Sequence, residues 1–220
     1  MTPSNLKLDH RLAAYATLAG VALTIPAAST SHAAIVYSGP VNISVPNSID
    51  GIYFNMVTGA SGGSGAAVPG WDINPYNNGA GFTLYGAAAP SGVLATGTPG
   101  TGAIALNLAF GTPIAPGGQY NQFQTLGTQF QGGGNGYLGL TFMNEGTGVL
   151  NYGWVLFNTS AGSGTNVGFP ASILGYAYEN TGTSINAGAT GVPEPSTVAL
   201  LGVVAAGALG LREWRRRKAA

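Results

Sequence analysis

Between residues 34 and 191 no run sustains an apolar stripe at helical spacing. Short alternating or β-rich runs are instead cut by clusters of glycine and proline. Strict alternation is the signature of a strand with one buried face, and Gly/Pro clusters punctuate turns. Val41–Val45 alternates apolar and polar residues, and Ile52–Val57 is rich in strand formers. Ala103–Phe110 places Ile104, Leu106, Leu108 and Phe110 on one side and Ala103, Ala105, Asn107 and Ala109 on the other. Tyr137–Phe142, Val149–Phe157 and Ile173–Tyr178 are further expected strands, and Asn144-Glu145-Gly146-Thr147-Gly148 has the composition of a hairpin turn. Many short strands with Gly/Pro turns predict an all-β fold, an antiparallel β-sandwich of jelly-roll-like type. The 19 aromatic residues of this stretch (9 Tyr, 2 Trp, 8 Phe) are enough to fill a core.

Charge is segregated along the chain. All seven basic residues lie at the ends: Lys7 and Arg11, then Arg212, Arg215, Arg216, Arg217 and Lys218. Residues 34–191 hold no Lys or Arg, and their acids are Asp50, Asp72, Glu145 and Glu179, a formal charge of −4. Nucleic acid is excluded as a partner of this region, because phosphates are neutralised by Lys and Arg. Cysteine is absent, so neither disulfides nor thiolate chemistry are available.

Residues 1–33 read as a signal peptide, recognised by the secretion machinery and signal peptidase. Lys7, His10 and Arg11 form a basic start, Leu12–Ile25 an apolar stretch, and Ser31-His32-Ala33 a small-residue cleavage site. Residues 34–191 are then the exported domain. Residues 192–220 are a three-part tail. Val192-Pro193-Glu194-Pro195-Ser196 precedes an apolar run at Thr197–Leu211, and Arg212, Arg215, Arg216, Arg217 and Lys218 close it. Fifteen helical residues span roughly 22 Å against a hydrocarbon core of about 30 Å, so residues 197–211 make a short transmembrane helix. The basic cluster should stay cytoplasmic, with Trp214 at the interface.

This order of Pro193-Glu194-Pro195, short apolar helix and arginine cluster resembles the PEP-CTERM sorting signal. The resemblance implies recognition by an exosortase, a membrane-embedded enzyme that processes such tails, in a Gram-negative bacterium that makes exopolysaccharide. Gly136-Tyr137-Leu138-Gly139-Leu140, Tyr152-Gly153-Trp154-Val155 and Gly175-Tyr176-Ala177-Tyr178-Glu179 look like a pattern of the ectodomains that carry such tails. That pattern implies no activity.

Other motifs were weighed by the chemistry they would need. Gly59-Ala60-Ser61-Gly62-Gly63 matches a nucleophile elbow, but a serine mechanism needs a base, and His10 and His32, the two histidines, fall in the signal peptide. Gly134-Asn135-Gly136-Tyr137-Leu138-Gly139 matches a dinucleotide fingerprint without the strand before it or the helix after it, and a turn is expected there. Asp72, Asn74 and Asn77 offer oxygen ligands in a run whose glycine comes too late for an EF-type calcium loop, so a turn explains it as well. Glu145 and Glu179 are the carboxylates a glycoside hydrolase would use, if close enough. Trp71, Tyr76, Trp154, Tyr176 and Tyr178 could stack on sugar rings or fill the core. No cofactor is expected. The leading expectation is a non-enzymatic surface or matrix protein linked to exopolysaccharide, sorted through the inner membrane. A lectin-like module is the alternative, and a hydrolase using Glu145 and Glu179 is third.

Overall fold

The computed structural model describes residues 34–100 and 102–191. The expected signal peptide (1–33), the Pro193-Glu194-Pro195 motif, the apolar run 197–211 and the terminal basic cluster lie outside the described residues. Among those described, no helix is long and apolar enough to cross a membrane.

Sixteen strands follow one another: β1 (Ile35–Tyr37), β2 (Ile43–Val45), β3 (Tyr53–Phe54), β4 (Ser61–Gly62), β5 (Ile73–Asn77), β6 (Phe82–Gly86), β7 (Gly92–Thr96) and β8 (Ile104–Ala105), then β9 (Asn107–Leu108), β10 (Pro113–Ile114), β11 (Tyr120–Asn121), β12 (Gln124–Leu126), β13 (Gly134–Asn144), β14 (Val149–Thr159), β15 (Ala171–Glu179) and β16 (Ile185–Asn186). Three single-turn 3₁₀ segments are interspersed. One hydrogen-bonded path runs β1-β15-β14-β13-β7-β8-β12-β6-β5-β3-β4, and β10 pairs with β16 apart from it. Pairing is antiparallel except for one parallel bridge, Leu126 to Ile104.

β7 turns the corner of this path. Its first residues, Gly92 and Val93, pair with Thr141 and Leu140 of β13, while Ala95 and Thr96 pair with Ala105 and Ile104 of β8. A strand that changes partners along its length folds one sheet back on itself. The all-β, antiparallel expectation therefore holds. The strands form a single curled path, however, rather than the two separate sheets of a jelly roll.

The curl closes on one core. Phe54, Ile73, Phe82 and Leu84 from one arm meet Leu138, Leu140, Phe142, Val155, Phe157 and Ile173 from the other. Phe82 is its hub, with ring centroids 5.3 Å from Phe157, 5.7 Å from Phe169 and 6.0 Å from Phe130. The opposite face of β13–β15 carries a second apolar layer. There Tyr152, Trp154 and Ala177 pack with Leu108, Ile114 and Ile185. Burial on both faces is why Val149–Phe157 reads as a nearly continuous apolar run.

The long hairpin follows the sequence closely. Asn144 pairs with Val149, and the Asn144 side-chain oxygen accepts from the N–H groups of Gly146 (3.0 Å) and Thr147 (3.2 Å). Elsewhere the structure corrects the reading. Ile52–Val57 is a strand only at Tyr53–Phe54, because Asn55 Oδ1 accepts from Val57 N (2.9 Å) and Thr58 N (2.8 Å) and bends the chain. In Ala103–Phe110 the expected faces fail. Ala103 and Ala105 are fully buried, while Phe110 is 75% exposed. The run breaks between β8 and β9 to change partners from β7 to β13, so a single alternation cannot persist. Gly134–Gly139 is not a turn but the start of β13. Asp72–Gly79 is mostly strand β5, buried along its whole length, and the turn comes after it, where Asn77 Oδ1 accepts from Gly79 N (2.8 Å) and Gly81 N (3.0 Å). Strands β6 and β7 were not anticipated.

Candidate functional site

The outer surface of the β3–β5–β6 arm gathers aromatic residues that do not face the core. Phe54 and Leu84 point inward, so by strand alternation Tyr53 and Tyr85 point outward. Trp71, just before β5, stands edge-on to Tyr53 with centroids 4.9 Å apart and planes at 86°. Its ring lies 6.5 Å from that of Tyr85, which is 39% exposed. Tyr53 and Trp71 are half-buried. A Cβ on Gly65 would sit 2.7 Å from Trp71 Nε1, so the backbone there passes close along the indole edge. Tyr85 lies opposite Asn74 of β5 on one side and Gln124 of β12 on the other. Tyr76 lies on the same side of β5 but is buried. Its phenol is held above its ordinary pKa by burial, with the Gln124 side chain pulling the other way.

The other stacking candidates lie elsewhere. Trp154 is buried in the second apolar layer, donating from Nε1 to Ala189 O (3.0 Å) and standing edge-on to Tyr137. Tyr178 is buried edge-on to Phe142, and Tyr176 packs against Phe54 under Gly59. These three serve packing. Tyr53 and Tyr85 were missed from sequence; the signal was Phe82-Thr83-Leu84-Tyr85, where the aromatic breaks parity with its apolar neighbours.

The carboxylates are arranged differently from the pair expected. Glu179, fully buried at the end of β15, accepts from Thr181 N (2.9 Å) and Thr181 Oγ1 (2.6 Å) through Oε1, and from Thr183 N (2.6 Å) through Oε2. Burial alone would raise its pKa, but these hydrogen bonds hold it below the ordinary value. Both oxygens are thus committed to a turn. Glu145, on the hairpin tip, instead approaches Asp72. Asn55 Nδ2, which donates to Gly70 O (2.6 Å), lies 3.4 Å from Glu145 Oε1. Asp72 Oδ2 accepts from Met56 N (2.7 Å). Burial, with a further push from Glu145, raises the Asp72 carboxyl to about 8 against the pull of the Met56 N–H.

The calcium candidates Asn74 and Asn77 are also tied into the fold, Asn77 Oδ1 by the Gly79 and Gly81 N–H groups. Asn74 Nδ2 donates to Asp50 O (2.8 Å), and Asn77 Nδ2 to Asn47 Oδ1 (2.5 Å) and Thr165 O (2.8 Å). Among the described residues no three acidic, His or Cys side chains gather as metal ligands. Ser61 of the elbow-like pattern sits exposed in the two-residue strand β4, followed by a single 3₁₀ turn rather than a helix.

The domain's two ends meet. Ala34 N donates to Asn180 Oδ1 (3.2 Å), and a Cβ on Gly191 would lie 2.9 Å from Ile35 O. The segment that leads into the tail therefore leaves beside the first strand. No curated protein and no solved structure matches the chain. The tail does match: residues 191–217 fit the family model of the PEP-CTERM protein-sorting motif, and the motif implies an exosortase as processing partner, with export and membrane-associated sorting. By this match the chain is a protein that bears a PEP-CTERM sorting motif at its C-terminal end.

Proposed function

We propose that this is an exported protein of a Gram-negative bacterium with a non-enzymatic structural or binding role linked to exopolysaccharide. The secretion machinery and signal peptidase handle residues 1–33. The short helix 197–211 holds the chain in the inner membrane, with Arg212, Arg215, Arg216, Arg217 and Lys218 on the cytoplasmic side. An exosortase engages Pro193-Glu194-Pro195, and the β domain is delivered to the cell surface or extracellular matrix. The sorting-motif match at residues 191–217 carries this reading. The test is the mass of the mature protein and its location by cell fractionation. Wild type is expected to lack Arg217. Alanine at Pro193, Glu194 and Pro195 is expected to keep the tail and trap the chain in the inner membrane. A mature wild-type protein that retains Arg217, with the alanine triple distributed normally, would make the tail a plain anchor.

A lectin-like role is the second reading, favoured by the outward placement of Trp71 with Tyr53 and Tyr85. The hydrolase reading draws less support. Glu179 spends both carboxylate oxygens on Thr181 and Thr183, and the domain offers no histidine or lysine as an alternative base.

A further inference from the structure

We propose that Tyr53, Trp71 and Tyr85 form a stacking site for a chain of neutral sugars, with Gln124 beside Tyr85 on the same face. The proposal deepens the exopolysaccharide-linked reading and rests on it.

Residues 34–191 contain two tryptophans, and the fold treats them differently. Trp154 is 2% exposed and its indole N–H is used by Ala189 O. Trp71 remains at the surface, and its N–H has no protein acceptor among the described residues. Keeping a large apolar ring half in water forgoes part of the burial energy that Trp154 collects, about 25 cal/mol per Å². A ring held so by an edge-on neighbour, with the Gly65 backbone along its Nε1 edge, presents a partly exposed apolar plate. Pyranose rings match such a plate: they have one face of axial C–H groups and an equatorial belt of hydroxyls. Tyr53 and Tyr85 flank the indole at 4.9 and 6.5 Å with phenol groups that extend the same chemistry, and the Gln124 amide opposite Tyr85 can both donate and accept.

Charge selects among sugars. No Lys or Arg stands anywhere in residues 34–191, and no histidine. Asp72 follows Trp71 directly, and Glu145 reaches toward it across Asn55. An acidic polysaccharide would find no cation to pair with and the acidic Glu145 side chain close by. Neutral hexoses meet no such penalty.

The experiment uses the mature protein purified from the producing cells. Its migration is measured in native gels containing hydroxyethylcellulose, dextran or galactomannan as neutral probes, and alginate as an acidic one. At least one neutral polymer is expected to retard it, and alginate is not. Trp71→Ala should weaken the retardation at least tenfold, Trp71→Phe should keep part of it, and Phe110→Ala, at an exposed ring elsewhere, should leave it unchanged. Tyr85→Ala is the second variant; its ring is exposed, so it should weaken binding with no change in melting temperature. The proposal is overturned if no neutral gel retards the protein, if both Trp71→Ala and Tyr85→Ala migrate as wild type does, or if alginate retards it equally. It is also overturned if Trp71→Ala abolishes only a self-association, which would assign the surface to a second copy. Sorting is read separately from the mature mass, so failure of the sugar site and failure of the sorting reading are distinguishable.

Discussion

Asp72 Oδ2 accepts a hydrogen bond from the Met56 backbone N–H at 2.7 Å, in an environment that buries the carboxyl to 3% exposure. One N–H does not compensate for losing water, and Glu145 adds negative charge nearby, so the pKa rises from 3.8 to about 8. Between those two values the folded protein holds a proton that the unfolded chain has released. Stability therefore falls as pH rises through that window. Melting temperature is expected to drop between about pH 5 and about pH 8.5. Asp72→Asn, which keeps an acceptor for Met56 and removes the charge, should flatten that slope. Glu179 works in the opposite sense: its lowered pKa contributes stability above the ordinary carboxylate value, lost as pH falls below it. Glu179→Gln should blunt the loss at the acid end only. A wild-type melting temperature that rises from neutral to mildly alkaline pH would contradict the Asp72 assignment.

Phe82 and Phe110 separate buried from displayed aromatic surface. Phe82 is fully buried and packed edge-on or tilted against Phe130, Phe157 and Phe169. Phe82→Ala should cost about 3–5 kcal/mol through lost transfer energy and the cavity left behind. Phe110→Ala should change stability by no more than about 0.5 kcal/mol. Urea unfolding of both variants checks the contrast, and equal costs would mean that the curled path does not close on this core.

Glycine abundance has unequal consequences along the chain. Gly51 has φ +56, and a Cβ there would collide with Pro75 O and the Tyr76 side chain. Gly148 has φ +68 in the hairpin turn, with nothing within 4 Å of the Cβ position. Gly148→Ala should cost about 1 kcal/mol, the conformational term alone. Gly51→Ala adds overpacking against backbone that cannot move aside, for a total on the order of 3 kcal/mol. Chemical denaturation should rank them in that order, and a Gly51→Ala protein as stable as Gly148→Ala would show that the loop over Tyr76 can yield.

The parts of this fold that were legible in the sequence are those where one local rule acts alone. The β13–β14 hairpin is such a case: long β-rich runs flank the Asn144-Glu145-Gly146-Thr147-Gly148 turn, and the pairing follows without interruption from Gly134–Thr159 to Asn144–Val149. Ala103–Phe110 misled because alternation reports one buried face, whereas this segment packs Ala105 into one core and Leu108 into the other. β5 was hidden by Pro75, since proline in a central strand is rare. Here the Pro75 carbonyl accepts from Ile52 N. At the candidate site, Trp71 and Asp72 stood out by residue type. Tyr53 and Tyr85 did not, and Glu145 was read as a partner of Glu179, because all three are set beside Trp71 and Asp72 by pairing across β3, β6 and the hairpin tip. The link from Glu145 to Asp72 rather than to Glu179 is a matter of topology that no spacing encodes.

Gly191 packs on Ile35, and Trp154 holds Ala189 by its indole N–H, so the last described residues are fixed to the domain beside its first strand. A single residue, Val192, separates Gly191 from Pro193. At about 3.3–3.6 Å per extended residue, Pro193 can lie no further than roughly 7 Å from Gly191. An enzyme that engages Pro193-Glu194-Pro195, as proposed, must therefore work against the folded surface around β1 and residues 187–191. Inserting six Gly/Ser residues after Gly191 relieves that crowding without touching the motif or the domain. Tail removal, followed by pulse-labelling of the precursor, is expected to speed up severalfold, with the melting temperature of the mature domain unchanged. Trp154→Phe should act in the same direction more weakly, because it frees Ala189 while keeping most of the aromatic packing against Tyr137. An unchanged rate in the spacer variant would mean that the domain surface does not restrict access to the motif.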